Sequence, residues 1–552
     1  MDALLNITVG DLLEQTAAKN PSSLAVKYTE VEYCKTYAEF NAKVDAIAKG
    51  LLALGLKKGE HAAVWATNYP QWLELLFATA KIGVVLVTVN TNYKKDELQF
   101  LLEQSDSKAV FICDGLKDIN SVEIMYSICP ELKKADKGKL KSKALPKLQI
   151  VCSFDKEYNG IFAFNEIEKL GAKVSDSDYA KAKASLKVDD VVNMQYTSGT
   201  TGFPKGVMLT HHNIVNNGYQ IGECMKFTTK DKLCIPVPFF HCFGLVLGVL
   251  ACVAHGSAMV PLLFYSPQKV MAAVQSEKCT ALHGVPTMFI GILQHKDFAQ
   301  YDYSSLRTGI MAGSPCPIKV MQDVVEKMHL TDITIAFGQT ESSPVCTQTT
   351  VDDSIEKRVS TVGKTLKFLE TKIIEPSSGK TLGVGEDGEF CVKGYNVMKG
   401  YYKLPEATSA AIDKDGWLHT GDLARMDKDG YYKITGRIKD VIIRGGENIF
   451  PKEIEDYIYM HKAVKDVAVV AVPSQKYGEE VCAFIIVKEG QKVQPQEIMD
   501  FVLAGKAKHK VPKYVLVVEK FPLTASGKVQ KFLLREQAVK MLELDGESIE
   551  TV

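Results

Sequence analysis

Short apolar runs alternate with amphipathic stretches through most of the chain. HAAVWAT (61–67), VVLVTV (84–89), KAVFIC (108–113) and LQIVCSF (148–154) have the length and bulk of buried strands. Between such runs stand stretches like TYAEFNAKVDAIAKGLLALG (36–55), whose apolar positions recur with a helical period. Strands alternating with helices of this length predict largely parallel sheets with helices on their faces, an α/β fold. Around Thr361 the texture changes. As far as about Thr435, short strands broken by Gly and Asp (GEDGEFCVKG, DGWLHTGDLARMDKDGYYKITG) predict a smaller β-rich subdomain. After Asp440, short strands (DVAVVAV, CAFIIV, YVLVVE) alternate with helices again, and Pro451 suits the first turn of one of them. The expected organisation is therefore a body over 1–436, with its β-rich part at about 361–436, a boundary at 437–439, and a small α+β domain over 440–552. No internal repeat is visible.

Two segments break the pattern. Between Lys232 and Lys269 there is no charged residue. A membrane-spanning helix needs about 20 continuous apolar residues. Pro236, Pro238, His241, His255-Gly256 and Pro261 instead cut this run into pieces suited to buried strands and a short helix. Lys133 to Lys147 carries seven lysines against one aspartate and reads as a solvated loop.

Composition narrows the function classes. With 552 residues the chain is too long for one core. The 66 basic and 66 acidic residues cancel, so no global charge draws the protein to nucleic acid or to an anionic membrane. Thirteen cysteines include no C-x-x-C, and the eleven histidines form no H-x-x-x-H, so sequence spacing gives little support to a structural zinc site. Scattered thiols fit the reducing cytoplasm. The N-terminal segment has no basic region before an apolar block and no arginine, so neither a signal nor a transit peptide is expected.

The chemistry concentrates in YTSGTTGFPKGVMLTHHN (196–213). Its nine residues Thr197, Ser198, Gly199, Thr200, Thr201, Gly202, Phe203, Pro204 and Lys205 hold four hydroxyls, two glycines and a lysine. Glycines let backbone N–H groups approach an anion; hydroxyls and a lysine complete a phosphate cradle. A Walker loop would run from Gly-Lys directly into a helix. Here GVML reads as a second strand, and only Thr210 offers a helix N-cap.

This segment resembles the signature of the adenylate-forming superfamily: acyl- and aryl-CoA synthetases, luciferases and peptide-synthetase adenylation domains. Seven more motifs follow in the family's order: PFFHCFG (238–244), MAGSP (311–315), FGQTE (337–341), GEFCVKGYNVMKGYY (388–402), WLHTGDLA (417–424), ITGRIKDVIIRGGENIFPKEIE (434–455) and LTASGK (523–528). Together they cover essentially the whole chain. The resemblance implies a large N-terminal domain of two stacked α/β subdomains plus a β-rich one, and a small, mobile C-terminal lid. It implies a carboxylate attacking ATP to give acyl-AMP and pyrophosphate, followed by transfer of the acyl group to CoA.

Residue by residue, the resemblance makes Thr197–Lys205 the cradle for the β- and γ-phosphates. Glu341, with Thr201, becomes the Mg²⁺ site, oxygen ligands suiting a hard cation. Thr340 falls to the α-phosphate; Gly313, Ser314, Phe337, Gly338 and Gln339 fall around the adenine. Phe337 stands where tyrosine is commoner, so a contact needing the phenol oxygen is lost. Asp422 would take the ribose hydroxyls, with Ile434 beside it, and Arg437 the ribose or phosphate. Lys528 would neutralise the meeting of carboxylate and α-phosphate. Lys439 matches the hinge, and Arg444, Gly445, Gly446 and Glu447 the passage for CoA.

The acid-binding end would be lined by His241, Phe243, Val246, Gly284, Thr287 and Met288, with Ala312, Gly338 and Val345. This set is apolar and offers no carboxylate for an ammonium, which disfavours amino-acid substrates; His241 is expected to orient the substrate carboxylate. Finer resemblance, in CPELKKADKGKLKSKALPKL, HGVPTMFI and MAGSPCP, is to the medium-chain synthetases of the acyl-CoA synthetase family member 2-like group. The near alternatives are an aryl-CoA ligase and an acyl-AMP ligase loading a separate carrier protein; a carrier domain in cis is not expected, the chain ending at Val552. A luciferase-like oxygenase shares the motifs, and a non-catalytic scaffold is disfavoured by the full set Lys205, Glu341, Asp422, Arg437 and Lys528. Expected partners are the acid, ATP and CoA, with no nucleic acid and no integral membrane segment; a homodimer is compatible.

Overall fold

The structure, a computed structural model, describes residues 3–114, 119–197, 204–313, 316–444, 447–524 and 528–544. The chain forms two compact units. The first comprises Met1–Val359, Gly363–Glu370 and Val392–Leu418; the second comprises Ser360–Val362, Thr371–Cys391 and His419–Val552.

The first unit is α/β, as the alternating pattern predicts. It holds a nine-stranded and an eight-stranded sheet. The apolar runs singled out above form the strands His61–Trp65, Val85–Thr88, Ser107–Ile112 and Ile150–Ser153, all pairing in parallel. All five residues of His61–Trp65 are buried, as expected of a parallel strand covered on both faces. The helix Tyr37–Ala53 starts at a capping box: the Thr36 hydroxyl accepts from the Glu39 N–H while the Glu39 carboxylate accepts from the Thr36 N–H.

The uncharged stretch resolves into the expected pieces. Lys232–Ile235 and Ala258–Pro261 are adjacent parallel strands, joined through a π-helix, Phe243–Leu250, that continues as an α-helix to His255. Gly256, at φ +68°, ends that helix in the left-handed conformation. Every residue of the π-helix is buried. Among the described residues no helix is long and apolar enough to cross a membrane.

The second unit contains a four-stranded sheet and a five-stranded one. In the latter, Val464–Ser474 and Gly478–Val487 pair antiparallel along their whole length, and Tyr514–Val517 adds in parallel. Their strict alternation gives two cores. Val467, Val469, Val481, Ala483 and Ile485 pack with Ile454, Ile458, Ile498 and Val502 from the helices Pro451–Ile458 and Pro495–Gly505. Ala468, Val470, Val472, Cys482 and Phe484 pack on the opposite face with Leu534 and Ala538 of Lys531–Met541. Pro451 occupies the first turn of its helix, where its missing N–H is not required.

Candidate active site

Two neighbouring features of the first unit collect the predicted residues. The first is the strand Val191–Thr197, which pairs antiparallel with Lys205–Thr210, Thr197 lying opposite Lys205. The loop thus joins two strands, and the helix His211–Cys224 begins only at Thr210, whose hydroxyl caps it by accepting from the Asn213 N–H. That arrangement separates it from a Walker loop. Ser198, Gly199, Thr200, Thr201 and Gly202 lie outside the described residues, as do Ser314, Gly445 and Gly446.

Lys205 does not stand alone. The strand Gly400–Tyr401 pairs with Lys205–Thr210, placing Tyr401 opposite Val207. The Lys205 ammonium sits 4.9 Å from the centroid of the Tyr401 ring, a cation–π contact. The Tyr401 hydroxyl donates to Glu341 Oε1 at 2.8 Å. One tyrosine therefore touches both the cradle lysine and the carboxylate expected to hold a cation. Burial and the Glu341 charge push the Tyr401 phenol well up, so it stays a neutral donor. Sequence reasoning assigned Tyr401 no role, although the motif GEFCVKGYNVMKGYY contains it. A paired aromatic at the end of that motif was the only signal.

The second feature is the set of carboxyl ends of parallel strands, where open α/β sheets bind ligands. Ala281–Gly284, Thr308–Ala312 and Asp332–Gly338 are consecutive parallel strands, and Val345–Gln348 returns antiparallel beside the last. Gly284, Ala312, Gly338 and Val345 therefore sit at one end of four adjacent strands. Gly338 must be glycine: a Cβ there would lie 1.8 Å from the Pro344 carbonyl oxygen. Gly313, at φ +89°, turns the chain out of its strand. Thr287 and Met288 open the helix Pro286–Leu293 directly after Gly284. Phe337 faces Thr347 in the register, and Gln339 is fixed by its N–H donating to Ser342 Oγ at 3.0 Å.

Thr340 and Glu341 form a single 3₁₀ turn, Thr340–Ser342, and the Glu341 carbonyl accepts from the Met398 N–H at 2.9 Å. Cys242 Sγ lies 3.8 Å from Thr340 Oγ1, joining PFFHCFG to FGQTE. His241 is half-buried, and its Nδ1 accepts from the Phe243 N–H at 3.1 Å. A neutral His241 therefore carries its proton on Nε2. Phe243 and Val246 lie in the buried π-helix, a geometry frequent at functional sites. The Phe243 ring packs 5.7 Å from His283. His283 is fully enclosed, bonded to the Leu247 carbonyl and the Ile310 N–H, and burial lowers its pKa to about 4. It is neutral, so it adds no charge beside these apolar residues.

In the second unit, Asp422 and Arg437 face each other across paired strands, and Arg437 Nε donates to Asp422 Oδ1 at 2.6 Å. Asp422 is buried; burial pushes its carboxyl up, while Arg437 and then Lys528 pull it back. Ile434 pairs with Ala424 in the same ladder. Asp422 is held from below. Gly421 N–H donates to Glu389 Oε1 at 3.0 Å, Thr420 Oγ1 to the Phe390 carbonyl at 2.6 Å, and Asp422 N–H to Thr420 Oγ1 at 3.1 Å. Glu389 was also missed, because its contribution is a tertiary contact to backbone.

Lys528 N–H donates to Thr524 Oγ1, and its carbonyl accepts from the Thr524 N–H. Lys439 lies in the turn Ile438–Asp440. Arg444 Nε donates to the buried Glu480 at 2.7 Å and its guanidinium covers Tyr477; Glu447, exposed, pairs with Arg444 between antiparallel strands.

Comparison with known proteins accords with this arrangement. Residues 13–402 match the AMP-binding enzyme family, and residues 453–528 match the AMP-binding enzyme C-terminal domain. YngI of Bacillus subtilis (strain 168), named as a candidate acyl-CoA synthetase, is 52% identical over 545 residues, covering 99% of each chain. The mouse (Mus musculus) medium-chain acyl-CoA ligase ACSF2, mitochondrial, is 39% identical over 98% of this chain and 89% of its own. The crystal structure of ATP-bound MatB from Rhodopseudomonas palustris superposes with a TM-score of 0.82 at 29% identity, covering 97% of this chain and all of that one. The chain thus belongs to the AMP-binding, adenylate-forming enzyme family, and within it to the AMP-forming acyl-CoA ligases, whose substrates are a carboxylic acid, ATP and CoA.

Proposed function

We propose that the acid is a medium-chain, uncharged-tail carboxylic acid, and that the residues above divide the two half-reactions among them. The observation that carries the ATP half is the Lys205–Tyr401–Glu341 link. A cation beside the departing pyrophosphate and a carboxylate for its Mg²⁺ are held at a fixed spacing by one rigid ring. Preorganised charge of this kind is the usual largest contribution to catalysis. Glu341 fits Mg²⁺ in chemistry, a hard oxygen donor already oriented by a phenol, and the ion would neutralise phosphate charge there. Thr340 is assigned to the α-phosphate, Asp422 to the ribose hydroxyls, Arg437 to the ribose or phosphate, and Lys528 to the carboxylate during adenylation.

The acid preference rests on the apolar set Phe243, Val246, Met288, Ala312 and Val345, on the neutrality of His283, and on similarity to ACSF2. His241, through Nε2–H, is assigned to orient the substrate carboxylate. Lys439 is proposed as the hinge, and Arg444–Glu447 as the CoA passage. A cytoplasmic setting is supported by the burial of ten of the thirteen thiols. Pyrophosphate release should be measured with straight-chain acids from C4 to C16 and with aryl acids, with and without CoA. A maximum at medium chain length with CoA-dependent turnover is expected. A preference for aryl acids, or release indifferent to CoA, would reject the assignment.

A further inference from the structure

Outside the residues given to ATP and acid, one cluster has the composition of a soft-metal site. Glu389 and Cys391 are alternate residues of the strand Asp387–Gly394, so both project from one face. His419 is the second residue of the neighbouring strand Leu418–Met426. His419 Nδ1 lies 3.0 Å from Glu389 Oε2 and 3.7 Å from Cys391 Sγ, and the three donor atoms all fall within 4.8 Å of one another. Cys391 is fully buried, whereas the His419 side chain is 31% exposed, giving a small ion a way in from solvent.

The structure assigns a Zn²⁺-class cation site to Glu389, Cys391 and His419. Metal–ligand bonds to sulfur of about 2.3 Å, and to nitrogen and oxygen of about 2.0–2.2 Å, span donor separations of this size. Thiolate and imidazole together select Zn²⁺ over Mg²⁺, which takes oxygen. Three protein donors leave a fourth position for water at the His419 side. On binding, the Cys391 thiol proton leaves to solvent. The imidazole proton, which otherwise links Nδ1 to Glu389, moves to Nε2 so that Nδ1 can ligate. Glu389 Oε1 keeps the Gly421 N–H, so the ion would rest on the same carboxylate that supports the backbone before Asp422. Local spacing gave no sign of this trio: Cys391 and His419 stand 28 residues apart and meet only through strand pairing.

The test uses the full chain stripped with EDTA. Zn²⁺ content after gel filtration and the near-ultraviolet thiolate-to-metal band with Co²⁺ are measured for the parent, Cys391→Ser, His419→Gln and Cys34→Ser. The parent should hold one Zn²⁺ and show the Co²⁺ band. Cys391→Ser should lose the band and weaken Zn²⁺ by more than about 100-fold, beyond the loss expected from an outer-shell partner. His419→Gln, at a part-exposed side chain, should weaken Zn²⁺ similarly. Cys34→Ser, at an exposed thiol elsewhere, should behave as the parent. Parent protein without the band, binding that survives in both Cys391→Ser and His419→Gln, or binding that follows Cys34, would overturn the site.

Discussion

Removing one oxygen from Tyr401 tests the phosphate-end reading directly. Tyr401→Phe keeps the ring under Lys205 and deletes only the hydroxyl that donates to Glu341 at 2.8 Å. The backbone should not move. Tyr401 remains in its strand pair, its N–H still donates to Thr408 Oγ1, and the Glu341 turn is anchored by Met398. A hydrogen bond to a charged group contributes about 1.5–3 kcal/mol. Glu341 is only half-buried, so water replaces part of this and the lower figure applies, about tenfold in rate. Tyr401→Ala should cost a further ~0.5–1 kcal/mol through the lost cation–π contact. The assay is ATP–pyrophosphate exchange as a function of Mg²⁺, in a cycle with Glu341→Gln. Tyr401→Phe should lower exchange about tenfold and raise the Mg²⁺ needed, with thermal unfolding little changed. Because the phenol is pushed up and stays protonated, the loss should be flat from pH 6 to 8. Additivity of the two mutations within about 0.5 kcal/mol would show that the hydroxyl does not act through Glu341, and would refute the link.

Four further outcomes follow. Lys528→Ala should abolish ATP–pyrophosphate exchange while sparing thioester formation from supplied acyl-AMP; equal loss in both assays would remove its assignment to adenylation. Lys439→Pro should impair thioester formation more than adenylation, and unchanged thioester formation would end the hinge proposal. Gly338→Ala places a Cβ 1.8 Å from the Pro344 oxygen, so thermal unfolding should show a loss of about 1–3 kcal/mol or more. His211 and His283 are buried and their pKa values fall from 6.5 to about 4. A depressed folded pKa gives stability present above pH 6.5 and lost as pH falls toward 4. Each should contribute about 2 kcal/mol less at pH 5 than at pH 7, read by urea unfolding.

What the sequence disclosed and what it withheld divide along a physical line. The helix within 36–55, the cap at Thr210, the strand after Lys205 and the broken apolar run at 232–269 are local. Each is set by a few neighbouring residues, and each stands where the pattern placed it. The π-helix was not legible, because FGLVLGVL has the same apolar content in either helical form and only its packing selects one. Tyr401 and Glu389 act across strands. Tyr401 reaches Glu341 over 60 residues, and Glu389 reaches Gly421 over 32. No window along the chain contains both partners of either pair.

The same distinction explains why the motifs are placed as they are. A carboxylate or lysine in a loop is mobile, and charge that must reorganise during reaction stabilises a transition state poorly. In the first unit Lys205 begins a strand, Glu341 sits in a turn tied by Met398, and Tyr401 joins them from a third element. In the second, Asp422 stands in a strand whose preceding residues are fixed by Glu389 and the Phe390 carbonyl. In both, the support is long-range in sequence. A substitution in the support should therefore lower turnover while leaving the fold intact, and Tyr401 and Glu389 are where that separation should be widest.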